Sequence, residues 1–235
     1  SQLPLVGRSC CVTMRSLSFI GSVAIASAAV DMLPQGIDFN MTEAEWAEST
    51  AAFDRNLQEF EEGNYVSTVD VTRSGMTKCN QLCSEWCWAT SATMVSSTYT
   101  SISGSECNKY EAKAASMKVG KTCDYSCSRT CDQAGQPSDM IHAIHHFSGA
   151  SYTDSGSSLS QQHLDQALGY GPVIFLIRWS SGGGHAITCS GVSSGKYKVH
   201  DPEGADKSLS YSQVMHYQNE GKWSATVYPS NGLQS

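Results

Sequence analysis

Cysteine, histidine, aspartate and glutamine side chains occur along the chain in an order that could carry out covalent chemistry on a carbonyl carbon. Cys87 lies in the stretch CNQLCSEWCWATSA, and Gln81 precedes it in the same stretch. His185 follows the run SGGG, and Asp201 ends the run YKVHD. A thiolate can attack a carbonyl, an imidazole can transfer the proton, a carboxylate can orient the imidazole, and an amide can bind the oxyanion. These residue types in this order predict acyl-transfer chemistry.

The local sequence around these residues predicts how two of them would be positioned. Residues 86–98 are expected to form a helix, so that Cys87 would lie in its first turn, where backbone N–H groups and the helix dipole stabilise an anion. The glycines immediately before His185, Gly183 and Gly184, leave room for a substrate backbone to approach the imidazole. Cys87 is therefore expected to be the reactive thiol.

Ten cysteines are a high number for a cytosolic chain of 235 residues, and six of them crowd around the reactive stretch. Disulfides are favoured over metal ligation, the minor alternative, because the tight C-x2-C pairs typical of zinc sites are missing. We expect three disulfides, no metal, no cofactor, and a buried unpaired thiol at Cys189. The six cysteines expected to pair are Cys79, Cys83, Cys107, Cys123, Cys127 and Cys131.

The composition restricts the classes of function. The chain carries 15 basic and 22 acidic side chains, so its net charge is −7, and this acidic balance argues against nucleic acid as a partner. With 40% hydrophobic residues the chain can bury a core of ordinary size. It has neither a Walker-type loop nor a dinucleotide-binding fingerprint.

Residues 1–34 have the pattern of a targeting segment. Two arginines precede an uncharged run at 16–30, and small residues alternate near the end of that run. The alternative is a retained anchor that contacts a membrane through residues 16–30. Together with the cysteines, this segment predicts a non-cytosolic oxidising compartment, which could be the exterior, the endomembrane system or an organelle lumen such as that of a plastid thylakoid.

Residues 35–66 are expected to contain an acidic amphipathic helix over 42–62. Thr42 and Glu45 have the spacing of a capping box, which marks the start of a helix. Large apolar side chains recur on one helical face, and we expect this face to dock on the rest of the chain. These side chains are Trp46, Phe53, Leu57 and Phe60. Asn40 begins a glycosylation sequon.

Residues 67–235 are expected to form the main domain, of the α+β class. Its first half is predicted to be helical, with a short helix over 138–147 and loops over 103–137 and 148–160. Its second half contains short β-type runs separated by turn residues, at 172–179, 185–192, 197–201 and 223–229. This order predicts two lobes, a helical one with the thiol and a β-rich one with the histidine and the aspartate.

Three motifs together resemble the papain-like cysteine peptidase superfamily: Gln-x5-Cys-Trp-Ala, then Gly-His-Ala-Ile-Thr, then Tyr-x-Val-x-Asp-Pro. The resemblance extends over about residues 67–229. It is closer to compact relatives, the double-glycine leader peptidases and the Cys-Trp-Ala-Ala effector proteases, which also use Asp-Pro. It implies a papain-like two-lobe fold and hydrolysis of a peptide or protein substrate. By this resemblance Cys87 would be the nucleophile, His185 the base, Asp201 the orienting group and Gln81 the oxyanion donor.

The resemblance also implies finer features of the site. Substrate contacts are expected from Trp88, Pro137, Gly183 and Gly184. The segment CDQAGQP resembles the papain segment whose cysteine bridges back to the nucleophile helix, which implies a disulfide between Cys83 and Cys131. Two features depart from papain: no tryptophan follows Asp201 to shield the histidine, and the segment from Pro172 to His185 is too short to hold a substrate-binding loop.

The helix over 42–62 has a second interpretation through the same resemblance. Its pattern of Glu45, Phe53, Asn56, Phe60 and Asn64 resembles the helix of papain-type inhibitory propeptides. Residues 35–66 are therefore expected to be either propeptide-like or a docked structural element.

Two other functions use the same residues. An acyltransferase of the transglutaminase or transpeptidase type has the same Cys-His-Asp order, and only the competition between water and an amine for the acyl-enzyme separates it from a peptidase. A non-catalytic papain-like subunit, tethered to a membrane or to a larger assembly, is the third hypothesis.

Overall fold

An antiparallel sheet with helices on both faces forms the framework of the structure, which is a computed structural model describing residues 37, 41–63, 65 and 67–233. The expected targeting segment, the sequon residue Asn40 and the propeptide-pattern residue Asn64 lie outside the described residues. All of the structure described below belongs to the unit Leu33–Ser235. Within the described residues, no helix is long and apolar enough to cross a membrane.

The described residues of this unit contain six α-helices and seven strands. The helices are α1 (Glu43–Glu61), α2 (Cys87–Ser97), α3 (Cys107–Val119), α4 (Pro137–Ser148), α5 (Gln161–Tyr170) and α6 (Tyr211–Met215). The strands are β1 (Val71–Thr72), β2 (Tyr152–Asp154), β3 (Val173–Trp179), β4 (Gly184–Ser193), β5 (Lys196–His200), β6 (Lys207–Leu209) and β7 (Gly221–Pro229). Their order in the sheet is β2-β7-β3-β4-β5-β6, and β1 pairs with β4 from outside this path.

The pairing of β3, β4 and β5 positions the residues on which the site depends. His185 lies opposite Ile177 of β3, and Thr188 lies opposite His200 of β5. Because β4 and β5 are antiparallel neighbours, the start of β4 lies beside the end of β5. The sheet thus brings His185 next to the residue that follows β5, which is Asp201.

The alternation of side chains along β3 explains why residues 173–177 form an unbroken apolar run. Ile174 and Leu176 contact the core around α2, whereas Phe175 and Ile177 contact a second core that includes residues of α5 and α6. Successive side chains of a strand point to opposite faces, so a strand that is covered on both faces needs apolar residues at every position.

Helix α2 is the buried support of the helical lobe. Each of its eleven residues is buried, and the helix packs against α3, α4 and β4. Its hydroxyl side chains are satisfied within the helix or by the sheet; for example, Ser91 Oγ donates to the carbonyl oxygen of Ala186 at 3.1 Å. A helix that is buried on all sides holds its first residue rigidly.

Helix α1 docks on the β-rich lobe, as the sequence predicts. It begins with the expected capping box, in which the Glu45 N–H donates to Thr42 Oγ1 at 3.3 Å. Phe53 is buried, and the ring of Phe60 lies 5.3 Å from that of Tyr211 on α6. Ser49 Oγ donates to the carbonyl oxygen of Ser224 on β7 at 2.7 Å.

Three disulfides form among the six expected cysteines, but the expected pair Cys83–Cys131 is wrong. The bridges join Cys79 to Cys107, Cys83 to Cys127 and Cys123 to Cys131. The resemblance to the papain segment fails here because Cys131 closes a short local loop with Cys123. Its carbonyl oxygen, not its sulfur, contacts the reactive stretch, by accepting from Trp86 Nε1 at 2.9 Å.

Two regions expected to be loops contain regular structure. Helix α3 occupies much of 103–137, and its buried side chains are mostly small, so it lacks the large apolar residues at helical spacing that would reveal it. Strand β2 lies within the expected connector 148–160 and completes one edge of the sheet. The helix expected over 138–147 is present as α4, which begins one residue earlier, at Pro137.

Candidate active site

The first turn of α2 carries the thiol that the sequence singles out. Cys87 is the first residue of the helix, is a free thiol, and is 1% exposed. Indole hydrogen bonds on either side hold this turn: Trp86 Nε1 donates to Cys131 O at 2.9 Å and Trp88 Nε1 donates to Gln133 O at 3.0 Å. The thiol is therefore held at the end of a helix where backbone N–H groups favour a negative charge.

His185 connects the thiol to Asp201. Its Nε2 lies 2.8 Å from Asp201 Oδ1, and interaction with the Cys87 side chain also raises the pKa of the imidazole. Because Asp201 takes Nε2, the other ring nitrogen, Nδ1, is left for the thiol. Burial by itself lowers the pKa of His185, but the hydrogen bonds to Asp201 and Cys87 outweigh burial and raise this pKa to about 10.

Asp201 is a buried carboxylate with several donors. Its Oδ1 also accepts from the Glu203 N–H at 3.0 Å, and its Oδ2 accepts from Tyr217 Oη at 2.6 Å and from Lys207 Nζ at 3.2 Å. Burial raises the pKa of Asp201, but the hydrogen bonds from His185 and Tyr217, with the charge on His185, hold it well below its usual range. Asp201 is thus an anion that keeps its charge and its orientation.

Trp179 covers the imidazole, although no tryptophan follows Asp201. Its ring stacks on His185 with 6.1 Å between ring centroids and 21° between ring planes. Sequence reasoning missed this residue. The β3–β4 hairpin could have indicated this contact from the sequence. Trp179 ends β3, and the glycines after it lead into β4, so the ring of Trp179 lies near the first residues of β4.

Gln81 is connected to the same turn as Asp201. Its backbone N–H donates to the carbonyl oxygen of Pro202 at 3.0 Å. Its side-chain Nε2 donates to the carbonyl oxygen of Ser84 at 3.1 Å and to Glu203 Oε1 at 2.9 Å. Both hydrogens of this amide therefore have acceptors, and one of these bonds must open before Gln81 can donate to an oxyanion.

The glycines expected to contact substrate lie in the hairpin between β3 and β4. Gly183 has a φ of 72°, in the left-handed region that favours glycine. Its carbonyl oxygen accepts from the Trp179 N–H at 3.2 Å, which closes the hairpin beside the imidazole. Gly184 is buried and begins β4. The hairpin therefore places both glycines directly before His185.

Trp88 and Pro137, from which the sequence predicts substrate contacts, belong to helices α2 and α4, and the cavity that Pro137 lines does not include Cys87 or His185. Trp88 is 1% exposed and lies under Gly135, where an added Cβ would meet the indole ring at 2.2 Å. Pro137 is the first residue of α4 and lines a cavity of about 410 Å³, which side chains of α1 such as Glu48 and Arg55 also line. Pro137 thus faces an open space, whereas Trp88 supports the wall from behind.

Residues before and within α1 contact both sides of the site. Ile37 is 2% exposed, forms a parallel β-bridge with Gly135, and belongs to the apolar cluster that includes Trp88. On the other side, the guanidinium of Arg178 lies 3.7 Å from the centroid of the Trp46 ring. Arg178 pairs with Gly184 in the sheet. Ile37 and Trp46 therefore contact different sides of the site.

A second serine–histidine–aspartate arrangement is a structural feature and has no access to substrate. Ser190 Oγ lies 2.9 Å from His200 Nε2, and His200 Nδ1 lies 2.9 Å from Asp206 Oδ2. Ser190 is only 1% exposed, and burial lowers the pKa of His200. His200 instead ties β5 to the loop that returns to β6, directly beside Asp201.

Comparison with known proteins gives one family match and one structural neighbour of note. Residues 67–220 match the sequence model of a family described as papain-like cysteine protease AvrRpt2. A structure described as a C39-like peptidase from Bacillus anthracis is 12% identical and covers 68% of this chain and 97% of its own, with a TM-score of 0.43. No curated protein sequence matches the chain.

Proposed function

Because the chain belongs to the family described as papain-like cysteine protease AvrRpt2, we propose that it hydrolyses peptide bonds through an acyl-enzyme on Cys87. The expected α+β papain-like fold is confirmed. Membership also gives the general substrate class, a peptide or protein. The observation that carries the proposal is the 2.8 Å contact between His185 and Asp201, together with the free thiol of Cys87, whose interaction with His185 raises the pKa of the imidazole.

In the proposed reaction His185 holds the proton of Cys87, so that the pair is a thiolate and an imidazolium. The thiolate sulfur attacks the scissile carbonyl carbon, and the carbonyl oxygen becomes an oxyanion. When this tetrahedral species collapses, the C–N bond breaks and the imidazolium gives its proton to the departing amine. Water then attacks the thioester and gives one proton to His185, and collapse of the second tetrahedral species breaks the C–S bond, which releases the acid product and restores the thiolate and the imidazolium.

The oxyanion would be stabilised by the backbone N–H of Cys87 and the side-chain amide of Gln81. The first donor is part of the helix start and is already in place. The second requires Gln81 to exchange one of its acceptors, Ser84 O or Glu203 Oε1, for the oxyanion. Such donors act most strongly where water is excluded, and the burial of Cys87 and His185 supplies that condition.

A thiol-specific probe tests the peptidase proposal against a non-catalytic subunit. A neutral alkylating reagent should label Cys87 rapidly near pH 7 and should leave Cys189 unlabelled. Cys189 is the matched control because it is the other free thiol of the described residues and burial raises its pKa to about 12. A folded protein in which both thiols are equally inert supports the subunit interpretation and contradicts the peptidase.

Product analysis separates hydrolysis from acyl transfer. A peptide library should be cleaved to free acids, and addition of a primary amine at millimolar concentration should not divert most of the acyl group into an amide. Predominant amide formation would assign the protein to the transglutaminase or transpeptidase type instead.

We also propose that residues 35–66 restrain the site as a propeptide does, but from a different direction. In the papain-type propeptides that this helix resembles, the inhibitory strand follows the helix. Here the residue that we propose to contact the cleft is Ile37, which precedes helix α1. Ile37 pairs with Gly135 on one wall and Trp46 packs on Arg178 at the other. A substrate that approaches Gly135 would compete with Ile37 for the same backbone edge.

Point variants in the full chain test this restraint. Ile37→Ser removes the buried side chain and should raise peptidase activity several-fold, mainly by lowering KM. The matched control is Ile141→Ser, the same change in a residue of α4 that packs on the same apolar cluster but lies outside the β-bridge. If Ile37→Ser is no faster than the unmodified protein, the propeptide proposal is lost and α1 is a docked structural element.

The three disulfides indicate an oxidising, non-cytosolic environment. We propose that residues 1–34 direct the chain there, either as a targeting segment or as a membrane tether. A reporter fused after residue 34 should leave the cytosol with this segment and remain there without it. Carbonate extraction then distinguishes a tethered reporter, which stays with membranes, from a lumenal one. A reporter that stays cytosolic contradicts both forms of this proposal.

A further inference from the structure

The carboxylate of Asp201 receives donors on both oxygens, and three of the four donors come from the chain after β5. Oδ1 accepts from His185 Nε2 and from the Glu203 N–H, at 2.8 and 3.0 Å. Oδ2 accepts from Tyr217 Oη at 2.6 Å and from Lys207 Nζ at 3.2 Å. Catalysis as proposed requires only the first of these contacts, so the other three need a separate explanation.

Tyr217 and Lys207 form a unit of their own around Oδ2. Lys207 Nζ donates to Tyr217 Oη at 2.5 Å, and the ammonium lies 4.5 Å from the centroid of the tyrosine ring. Tyr217 is 1% exposed, and its ring lies 6.2 Å from that of Trp179. The tyrosine therefore contacts both the orienting carboxylate and the ring that covers the imidazole.

The direction of these contacts fixes the rotation of the carboxylate. A carboxylate with donors on one oxygen only can turn about its side-chain torsion and lose alignment with its donor partner. Donors on Oδ2 that are anchored in β6 and after α6 prevent Oδ1 from leaving His185 Nε2. Hydrogen bonds to a charged group are the stronger ones, so this restraint is substantial.

The same contacts also compensate charge during the reaction. When the imidazolium gives its proton to the departing amine, Asp201 loses its cationic neighbour while it remains 3% exposed. A buried carboxylate without a partner is costly. Lys207 and Tyr217 keep this anion paired in the step in which His185 is neutral, which lowers the cost of that proton transfer.

We propose that Tyr217 and Lys207 are positioning residues that act through Asp201 to align His185 with Cys87. This proposal rests on the proposed function, because it gives these residues a role in that reaction. The titratable groups that face the cluster from the surrounding elements are Cys87, Lys78, Glu203, Lys207 and Tyr217. Among these, only Tyr217 and Lys207 donate side-chain hydrogen bonds to Oδ2.

The test compares two buried tyrosines whose hydroxyls donate to different acceptors. Tyr217→Phe removes the hydroxyl from Asp201, and the matched control, Tyr211→Phe, removes a hydroxyl that donates to the Leu159 carbonyl oxygen at 2.6 Å. The readout is the rate at which iodoacetamide alkylates Cys87 as a function of pH, which needs no substrate. Tyr217→Phe should move the acidic limb upward by about half to one pH unit and lower the plateau. Tyr211→Phe should leave both unchanged.

A double-mutant cycle shows whether the effect passes through Asp201. In an Asp201→Asn background, Tyr217→Phe should cause less than a twofold further change in the alkylation plateau, because the carboxylate on which it acts is gone. Lys207→Met should lower the plateau about fivefold to tenfold, and Lys207→Arg should restore most of it, since Arg keeps the charge and a donor. If the acidic limb of the alkylation profile is the same in Tyr217→Phe and Tyr211→Phe, the proposal is overturned. It is also overturned if the effects of Tyr217→Phe and Asp201→Asn are additive in the cycle.

These readouts separate the two proposals. If the unmodified protein cleaves no peptide but its alkylation limb moves with Tyr217→Phe, the peptidase proposal fails and the positioning proposal stands. If the protein cleaves peptides and the limb does not move with Tyr217→Phe, the positioning proposal fails and the peptidase proposal stands.

Discussion

His185 Nε2 lies 2.8 Å from Asp201 Oδ1, and the sheet alone brings these two residues together. His185 is the second residue of β4, and Asp201 directly follows β5, its antiparallel neighbour. The register of one strand pair therefore determines whether the imidazole has an orienting group. Cys87 reaches the same imidazole from the other lobe, because α2 packs against β4.

Replacing the thiol should separate chemistry from folding. Cys87→Ala removes the proposed nucleophile and should abolish turnover, while the melting temperature changes by only a few degrees, because the substitution removes one atom from a site held by α2. Cys189→Ala is the matched control and should keep full activity. Peptide cleavage assays and thermal melts give both readouts, and a Cys87→Ala variant that retains activity contradicts the assignment.

Variants of the other two residues should differ in severity. His185→Ala removes the proposed base and should lower kcat by about a thousandfold or more. Asp201→Asn keeps an oxygen that can accept from Nε2–H, so it should cost less than His185→Ala, and Asp201→Ala should cost more than Asp201→Asn. Steady-state kinetics of the three variants measure this order. A larger loss for Asp201→Asn than for His185→Ala would reverse the proposed roles.

The histidine–aspartate pair should contribute stability within a defined pH range. The pKa of His185 is raised from 6.5 to about 10, so its contribution is complete below 6.5 and is lost as the pH rises towards 10. The pKa of Asp201 is lowered from 3.8, so its contribution is present above 3.8 and is lost in stronger acid. The stability difference between the unmodified protein and His185→Ala should therefore be largest between these two ordinary values.

Denaturant titrations at a series of pH values measure this difference. The stability of His185→Ala is subtracted from that of the unmodified protein because Glu111 also titrates in this range. Burial raises the pKa of Glu111 to about 7, so Glu111 lowers the stability of both proteins as the pH rises from 4.5. A difference that stays constant up to pH 10 would show that the imidazole is not held in its charged form.

The disulfides should contribute according to the length of chain that they close. Cys83 and Cys127 are 44 residues apart, whereas Cys123 and Cys131 are 8 apart. Restriction of the unfolded chain gives about 4 kcal/mol for the first bridge and about 2.5 kcal/mol for the second. Double Ala variants of each pair, unfolded in denaturant, should show this order. Peptide mapping that recovers Cys83 joined to Cys131 would contradict the connectivity.

The sequence predicted the elements whose signals are local. The strands over 172–179 and 223–229 were evident because both stretches are rich in β-branched and aromatic residues. The helix that begins at Cys87 and the capping box at Thr42 were predicted correctly for similar reasons. The fold class followed from the order of these elements.

The features that sequence reasoning missed depend on contacts between distant segments. Trp179 covers His185 only because the β3–β4 hairpin has its particular register, and Tyr217 reaches Asp201 from beyond α6. The partner of Cys83 depends on the path that the chain takes after α3, a helix of small and polar residues without a clear apolar face. No local pattern encodes these distances.

Trapping the covalent intermediate tests the central claim most directly. The protein is mixed with a peptide ester, quenched in acid within milliseconds, and digested for mass spectrometry. The account predicts an added acyl mass on the peptide that contains Cys87, whose abundance rises in a burst before steady turnover, and its loss in Cys87→Ala. Turnover that proceeds without this adduct, or an acyl group on any other residue, would contradict the proposal that Cys87 is the nucleophile.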